Sequence, residues 1–379
     1  MLYLDYNATS PCDPLVVEAM LPYFTEKFGN AASTTHPYGW VADEAVKQAR
    51  VRIAESIQAG ESEIVFTSGS TEGCNLALQG VFNLYQSKGK HIITCATEHK
   101  AVLDTCKYLE TLGARVTYLP VDSNGNIDVA QLEAAITEET ILIAMMYANN
   151  ETGVLHPISV IGSIAKQHKV LFFCDATQAW GKVDINVERE GIDLMAVSAH
   201  KLCGPKGVGA LYVRRKGPRV SLAPLFYGGG HERGRRSGTL NVTGIVGMAK
   251  AIDIAMTQHL QEQDVWRTFQ TEIERMLLVI PGSYINGAMA NRLTHVTNIS
   301  LPSIKASRLI SKLNTEIAFS VGSACTAAQQ EPSHVLKAMG LDSDALHGAI
   351  RLSWGRFTKA EEIKAAAQMI KDTVISMTV

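Results

Sequence analysis

The amino-acid sequence predicts an α/β protein: a large domain built on a mostly parallel seven-stranded sheet, then a smaller α+β domain. Three observations predict it. Short β-rich apolar runs alternate with amphipathic stretches from about residue 60. Those runs are apolar on both faces, as strands covered by helices on two sides must be. After Gly228-Gly229-Gly230 the texture changes to a long helical region followed by short mixed elements.

Strands are expected at 64–67, 91–95, 116–119, 140–147, 170–174, 194–198 and 210–213. Amphipathic spacing predicts helices over 71–86, 100–112, 129–136 and 158–168 between them. The stretch 241–278 reads as helix, interrupted or kinked near Gly244 and Gly247. Strands at 297–301, 317–321 and 350–354 follow, with helices at 306–313, after Pro332 and from Lys359.

Composition removes several classes of function. The chain has 379 residues, 46% hydrophobic and 19% charged, which excludes general disorder. A net charge of -2 gives no global field toward nucleic acid or anionic lipid. Neither a secretory signal nor a membrane span is expected, because no basic N-region or long apolar run occurs. Seven cysteines form no C-x-x-C pair, so neither a disulfide framework nor a zinc ribbon fits, and no metal is expected. A reducing cytoplasm is the expected compartment.

Ligands of such sheets bind beyond the C-terminal strand ends. The run 170–174 leads into Asp175-Ala176-Thr177-Gln178. A carboxylate there either caps a turn or, if buried and ionised, answers a cation such as a protonated pyridine nitrogen. Strand 194–198 leads into Ala199-His200-Lys201. Lys201 either reaches for solvent or serves as a Schiff-base lysine, which needs no free charge. After 64–67 comes Ser68-Gly69-Ser70-Thr71, an ordinary helix cap or a phosphate seat. His99 follows the next strand and Asn149-Asn150 follows strand 140–147, each explicable as local structure. Their coincidence on one rim is what points to a site.

Cys325 lies in Gly322-Ser323-Ala324-Cys325-Thr326, a small-residue run expected to be mobile and solvent-facing, where a thiol is reactive. Arg351 is a charge inside an apolar strand, either on a surface edge or acting as a carboxylate clamp. Basic residues at Arg214-Arg215-Lys216 and Arg233–Arg236 leave room for a nucleic-acid contact.

Taken together, these motifs resemble the cysteine desulfurases. These belong to the class V aminotransferase group of fold-type I pyridoxal-phosphate enzymes. The likeness runs from Leu4-Asp5 to about residue 365 and includes Thr97-Glu98-His99-Lys100, Asn149-Asn150-Glu151-Thr152-Gly153, His200-Lys201, Gly-Gly-Gly-His-Glu-Arg and Gly-Ser-Ala-Cys. Gly-Ser-Ala-Cys points to the iron–sulfur-cluster and nitrogenase-type members.

The resemblance implies pyridoxal 5'-phosphate linked to Lys201, which also acts as the base at Cα. Asp175 would pair with the ring nitrogen, Gln178 with the ring hydroxyl, and His99 would stack and handle the thiol proton. Ser70, Thr71, Ser198 and His200 would hold the phosphate, with Thr239 from a second subunit of a homodimer. Arg351, Asn150 and Asn30 would hold the carboxylate of L-cysteine, and Cys325 would take the sulfur. It implies a large domain at 13–248 and a small domain at 249–379, with residues 1–12 packing on the small one.

Two features depart from the family pattern: Asn30-Ala31-Ala32-Ser33, and Gly73-Cys74. The end at Val379 puts the usual scaffold partner in doubt, so a dedicated sulfur acceptor is expected, as in DNA phosphorothioation or tRNA modification. Iron–sulfur assembly is the other pathway open. The competing readings are a selenocysteine lyase or aminotransferase of the same fold, and a nucleic-acid-binding module. Direct nucleic-acid binding is not expected.

Overall fold

The computed structural model describes residues 1–321 and 332–378. Among the described residues the chain opens with β1 (Leu2–Tyr3), α1 (Pro14–Met20), α2 (Pro22–Thr25) and α3 (Pro37–Glu55). There follow β2 (Ile64–Thr67), α4 (Ser70–Tyr85), β3 (His91–Cys95), α5 (Lys100–Thr111), β4 (Arg115–Leu119) and α6 (Val129–Ala135). Next come β5 (Thr140–Met146), α7 (Ile158–Gln167), β6 (Leu171–Asp175), β7 (Leu194–Ser198) and β8 (Gly209–Val213). The helix α8 (Val242–Leu277) leads to β9 (Tyr284–Ile285), β10 (Val296–Ser300), α9 (Ala306–Leu313) and β11 (Ile317–Ala318). The chain closes with α10 (His334–Ala338), α11 (Ser343–Gly348), β12 (Ala349–Ser353) and α12 (Ala360–Thr378).

The main sheet has seven strands in the order β2-β8-β7-β6-β5-β3-β4, with β8 antiparallel to both neighbours and the other pairs parallel. Adjacent residues feed opposite cores, as the strand period of two requires. Ile93, Met145 and Phe172 pack toward α3 and α8. Ile92, Leu142 and Phe173 pack toward α4 and α5. Each such full burial contributes about 1.5–3 kcal/mol, which is why these strands read as continuous apolar runs.

One close backbone approach lies where β7 and β8 meet the start of α4. A Cβ on Gly209 would lie 2.5 Å from the Val197 carbonyl oxygen and 2.7 Å from Gly69 Cα. Only glycine lets the start of α4 sit against the sheet here.

The small domain has its own core, with Trp266, Phe269, Ile299, Leu352 and Trp354 among its members. Its sheet runs β12-β10-β9, antiparallel, and β1 pairs in parallel with β11. No described helix is long and apolar enough to cross a membrane.

One expectation differs from the structure. The helix α8 is continuous through Gly244 and Gly247. Asn241 Oδ1 accepts the Gly244 N–H, and a Cβ on Gly247 would lie 2.5 Å from Met20 Sδ, so these residues serve a cap and a helix contact rather than a kink. The division at 248/249 falls inside this helix. Met248, Ile252 and Ala255 belong to the large core, whereas Trp266, Phe269 and Ile273 belong to the small one.

Candidate active site

The parallel strands end on one rim, and a cavity of about 380 Å³ opens there against the small domain. Asp175 is the last residue of β6 and is 6% exposed. Its Oδ1 accepts from Thr177 N at 3.0 Å and from the Thr177 hydroxyl. Its Oδ2 meets only the Cys74 thiol, at 3.7 Å, among the described residues. One carboxylate oxygen is thus anchored and the other lacks a strong donor.

The neighbouring strand β7 runs into a 3-10 turn, Ala199–Lys201, which brings Lys201 to the same cavity. Its Nζ donates to the carbonyls of Asn7 and Ala8 (2.7 Å for the latter) rather than reaching for solvent. Gln178 Nε2 donates to the same Asn7 carbonyl at 3.0 Å. The N-terminal segment therefore closes the floor of the site.

At one end of the cavity α4 begins. Its N-cap is Gly69, with no side-chain cap, so Ser70 and Thr71 are not spent on capping and both line the cavity. Uncapped N–H groups and the positive helix end make a seat for an anion. His200 also lines the cavity, its Nδ1 3.1 Å from Thr9 Oγ1. Burial, then the charge of Lys201, pulls His200 down to about 4. Ser198 is buried at the end of β7 beside Gly69 and does not line the cavity itself.

His99 caps α5, its Nδ1 accepting from Ala101 N at 3.1 Å. The proton of the neutral ring therefore resides on Nε2. Burial first, and the Lys201 and His334 charges after it, lower the His99 pKa, while Asp175 opposes them.

Arg351 forms the opposite wall. It is 2% exposed, not on a surface edge, because Ser320 and the Asp5 segment cover the flank of β12. Its Nη2 donates to Asp5 Oδ1 at 2.7 Å and to Ser320 Oγ at 3.0 Å, and its Nη1 to the Asn150 carbonyl at 3.1 Å. Its buried Nε has no partner among the described residues. Asn150 lines the cavity beside it.

Besides Ser198, two expected site residues do not line the cavity of this single chain. Asn30 is exposed, its Oδ1 accepting from Ala32 N in a local turn. Thr239 is exposed and away from the cavity lining. Cys325 lies outside the described residues. Of the basic residues, Arg214 is buried and paired with Glu188 at 2.7 Å, and Arg236 with Glu72 at 2.8 Å. Neither is available to a nucleic acid or an acceptor protein in this arrangement.

The motif reading missed Asn7, Asp5, Glu98, Glu151, Lys182 and His334. Glu98 and Glu151 are 0% exposed, each with one oxygen that has no partner among the described residues. Burial raises both carboxyls. A glutamate beside His99 in Thr97-Glu98-His99 was legible, but its inward direction was not. Asn7 carried no signal, because it is chiefly its backbone that acts.

A mostly parallel sheet with one reversed strand, and a strand-end lysine beside a strand-end aspartate, define a class of enzyme. The chain belongs to the aminotransferase class-V family, whose model matches residues 2–366. Within it, the cysteine desulfurase IscS of Neisseria meningitidis serogroup C is 50% identical over 373 residues, spanning 98% of this chain and 92% of the relative. A solved NifS-like protein superposes with a TM-score of 0.92 at 37% identity over 99% of both chains. A structure of SspA in complex with cysteine gives 0.84 at 36% identity, covering 95% of this chain and 100% of that one.

Proposed function

We propose that this chain is a pyridoxal-phosphate-dependent cysteine desulfurase, converting L-cysteine to L-alanine and leaving a persulfide on Cys325. The observation that carries this reading is the shared cavity. Lys201, Asp175, the uncapped start of α4 and Arg351 all line it. The residues fit the cofactor: among the described residues Asp175 Oδ2 lacks a strong donor, the α4 N-terminus lacks a side-chain cap, and Arg351 Nε is buried without a partner.

In this reading Asp175 would hold the ring nitrogen, Gln178 the ring hydroxyl, and Ser70, Thr71 and His200 the phosphate, with Ser198 behind them beside Gly69. Pyridoxal phosphate, when bound, supplies an electron sink that makes the Cα proton of an amino acid removable. Lys201 Nζ takes that proton. Arg351 binds the substrate carboxylate with its planar fork, beside Asn150. His99, its Nδ1 engaged by the Ala101 N–H, would stack on the ring and offer its Nε2–H to the substrate sulfur. The Cys325 thiolate attacks the substrate sulfur; the Sγ–S bond forms as the Cβ–S bond breaks, and the electron pair released to carbon is matched by a proton at Cβ. Cysteine and one protein thiol thereby give alanine and one persulfide, with no external oxidant.

The assembly is a homodimer in this proposal, which gives the exposed Thr239 a neighbouring phosphate to reach. Mixing Lys201→Ala chains with Thr239→Ala chains then restores one site per heterodimer. The persulfide passes to a protein acceptor of nucleic-acid thiolation or of iron–sulfur assembly. Labelled sulfur offered to both classes identifies which.

The test of the activity is stoichiometry. The cofactor-loaded protein should give one alanine per sulfur released from L-cysteine. Cys325→Ser should bind cofactor and cysteine but release almost no sulfide. A keto acid in place of alanine identifies an aminotransferase, and unchanged sulfide release from Cys325→Ser removes Cys325 from its role.

A further inference from the structure

Lys182 is a buried amine that none of these roles employs. It lies on the turn after β6 and is 6% exposed. Among the described residues its ammonium makes no ion pair; it contacts Gln178 Oε1 at 3.5 Å. Gln178 in turn donates to the Asn7 carbonyl, the oxygen that also accepts from Lys201. The two lysines are thus joined through one amide and one carbonyl.

Behind them is a small gap of about 20 Å³, lined by Lys182, Lys201, Cys203, Glu262, His295 and Arg356 among others. That is room for a single water, too little to screen a charge. Glu262 is already engaged by Arg356 Nε at 2.6 Å. The groups facing Lys182 are Lys201, His200 and Cys203 from the segment after β7, Glu262 from α8, His295 before β10 and Arg356 after β12. Burial holds His295 well below its ordinary range, so it is neutral and adds no charge. Burial, then the charge of Lys201, pulls Lys182 down to about 7.

Coulomb coupling is mutual, so Lys182 acts on Lys201 as Lys201 acts on it. The Asn7 and Ala8 carbonyls favour an ammonium on Lys201. An amine must shed its proton before it can act as nucleophile or base. We propose that Lys182 is a positioning residue for Lys201: a second amine, walled from solvent, whose positive charge disfavours a proton on the Lys201 nitrogen. This rests on the assignment of Lys201 as the cofactor-bearing lysine.

The test is a pH titration of the visible absorption of the cofactor-loaded enzyme without substrate. Lys182→Met and Lys182→Gln remove the charge, and Lys182→Arg makes it permanent. Both neutral variants should raise the midpoint by about one pH unit, and Lys182→Arg should leave it unchanged or lower it. The rate at which cofactor-free enzyme forms a borohydride-fixed bond to added pyridoxal phosphate near pH 7 should fall about tenfold in both neutral variants. If Lys182→Arg fails to fold, the Met and Gln variants decide, since they differ in polarity but share the loss of charge. Midpoints within about 0.2 units of the parent, or all variants shifting the same way, would overturn the proposal and leave Lys182 a packing residue. A parent enzyme with no reducible visible band would overturn both this inference and the assignment of Lys201.

Discussion

The two walls of the cavity are built differently. The sheet rim takes Asp175 from the end of β6, and Lys201, His99, Ser70 and Thr71 from short segments that follow other strands of the same sheet. The facing wall gathers Arg351 from β12, Asp5 from the N-terminal segment, Ser320 from beyond β11 and the Asn150 carbonyl from the large domain. The rim is fixed by backbone ladders and buried apolar strands. The wall is held by side-chain hydrogen bonds across large sequence separations. Substitutions on the rim should therefore remove chemistry and spare folding, whereas those on the wall should disturb binding and stability together.

The largest effect tests the rim. Lys201→Ala should lose all borohydride-fixed cofactor and, from loss of the base alone, about 10²–10⁴-fold in turnover. Its thermal unfolding should stay close to the parent's, because the main sheet is untouched. A large fall in stability would erase the contrast between the walls.

An intermediate effect tests the facing wall. Arg351→Lys keeps the charge but loses the fork, so KM for L-cysteine should rise by roughly 10- to 100-fold, the worth of about 1.5–3 kcal/mol in charged hydrogen bonds. Asp5→Asn should leave the buried Arg351 short of its anion and cost about 1–3 kcal/mol in urea unfolding, with a smaller change in turnover. If Asp5→Asn alters neither KM nor stability, the wall does not depend on this ion pair.

The smallest effect concerns protonation on the rim. His99 has a pKa below the ordinary imidazole value, chiefly from burial. Its neutral form contributes stability that is fully present above the unfolded pKa and is lost as pH falls through the lower folded one. The His99 ring signal, followed by NMR in the cofactor-free full chain, should titrate below about 6.5. A midpoint above that would mean that the Asp175 charge outweighs burial.

Much of the rim was legible in the sequence. Apolar runs bounded by Asp175 and by Ala199-His200-Lys201 carry their own signal, since a run apolar on both faces leaves a polar residue only at its end. Strand β7 falls where 194–198 was expected, and α9 where 306–313 was. The helix α3 was signalled by Pro37 at its first turn and His36 at its cap, but that stretch was not read as helix.

Sequence by itself determined the alternation of strands and helices, the residue types at the strand ends and the Gly-Ser-Ala-Cys motif, because all of these are local. Tertiary structure alone decided that Asn7 presents a carbonyl to both Lys201 and Gln178, that Asp5 holds Arg351, and that Lys182 stands behind Lys201. These contacts join residues far apart in the chain, through backbone atoms or buried charges that no spacing rule encodes. The division between cores inside α8 belongs with them: a continuous helix gives no sequence break, and only what packs against each half tells the two apart.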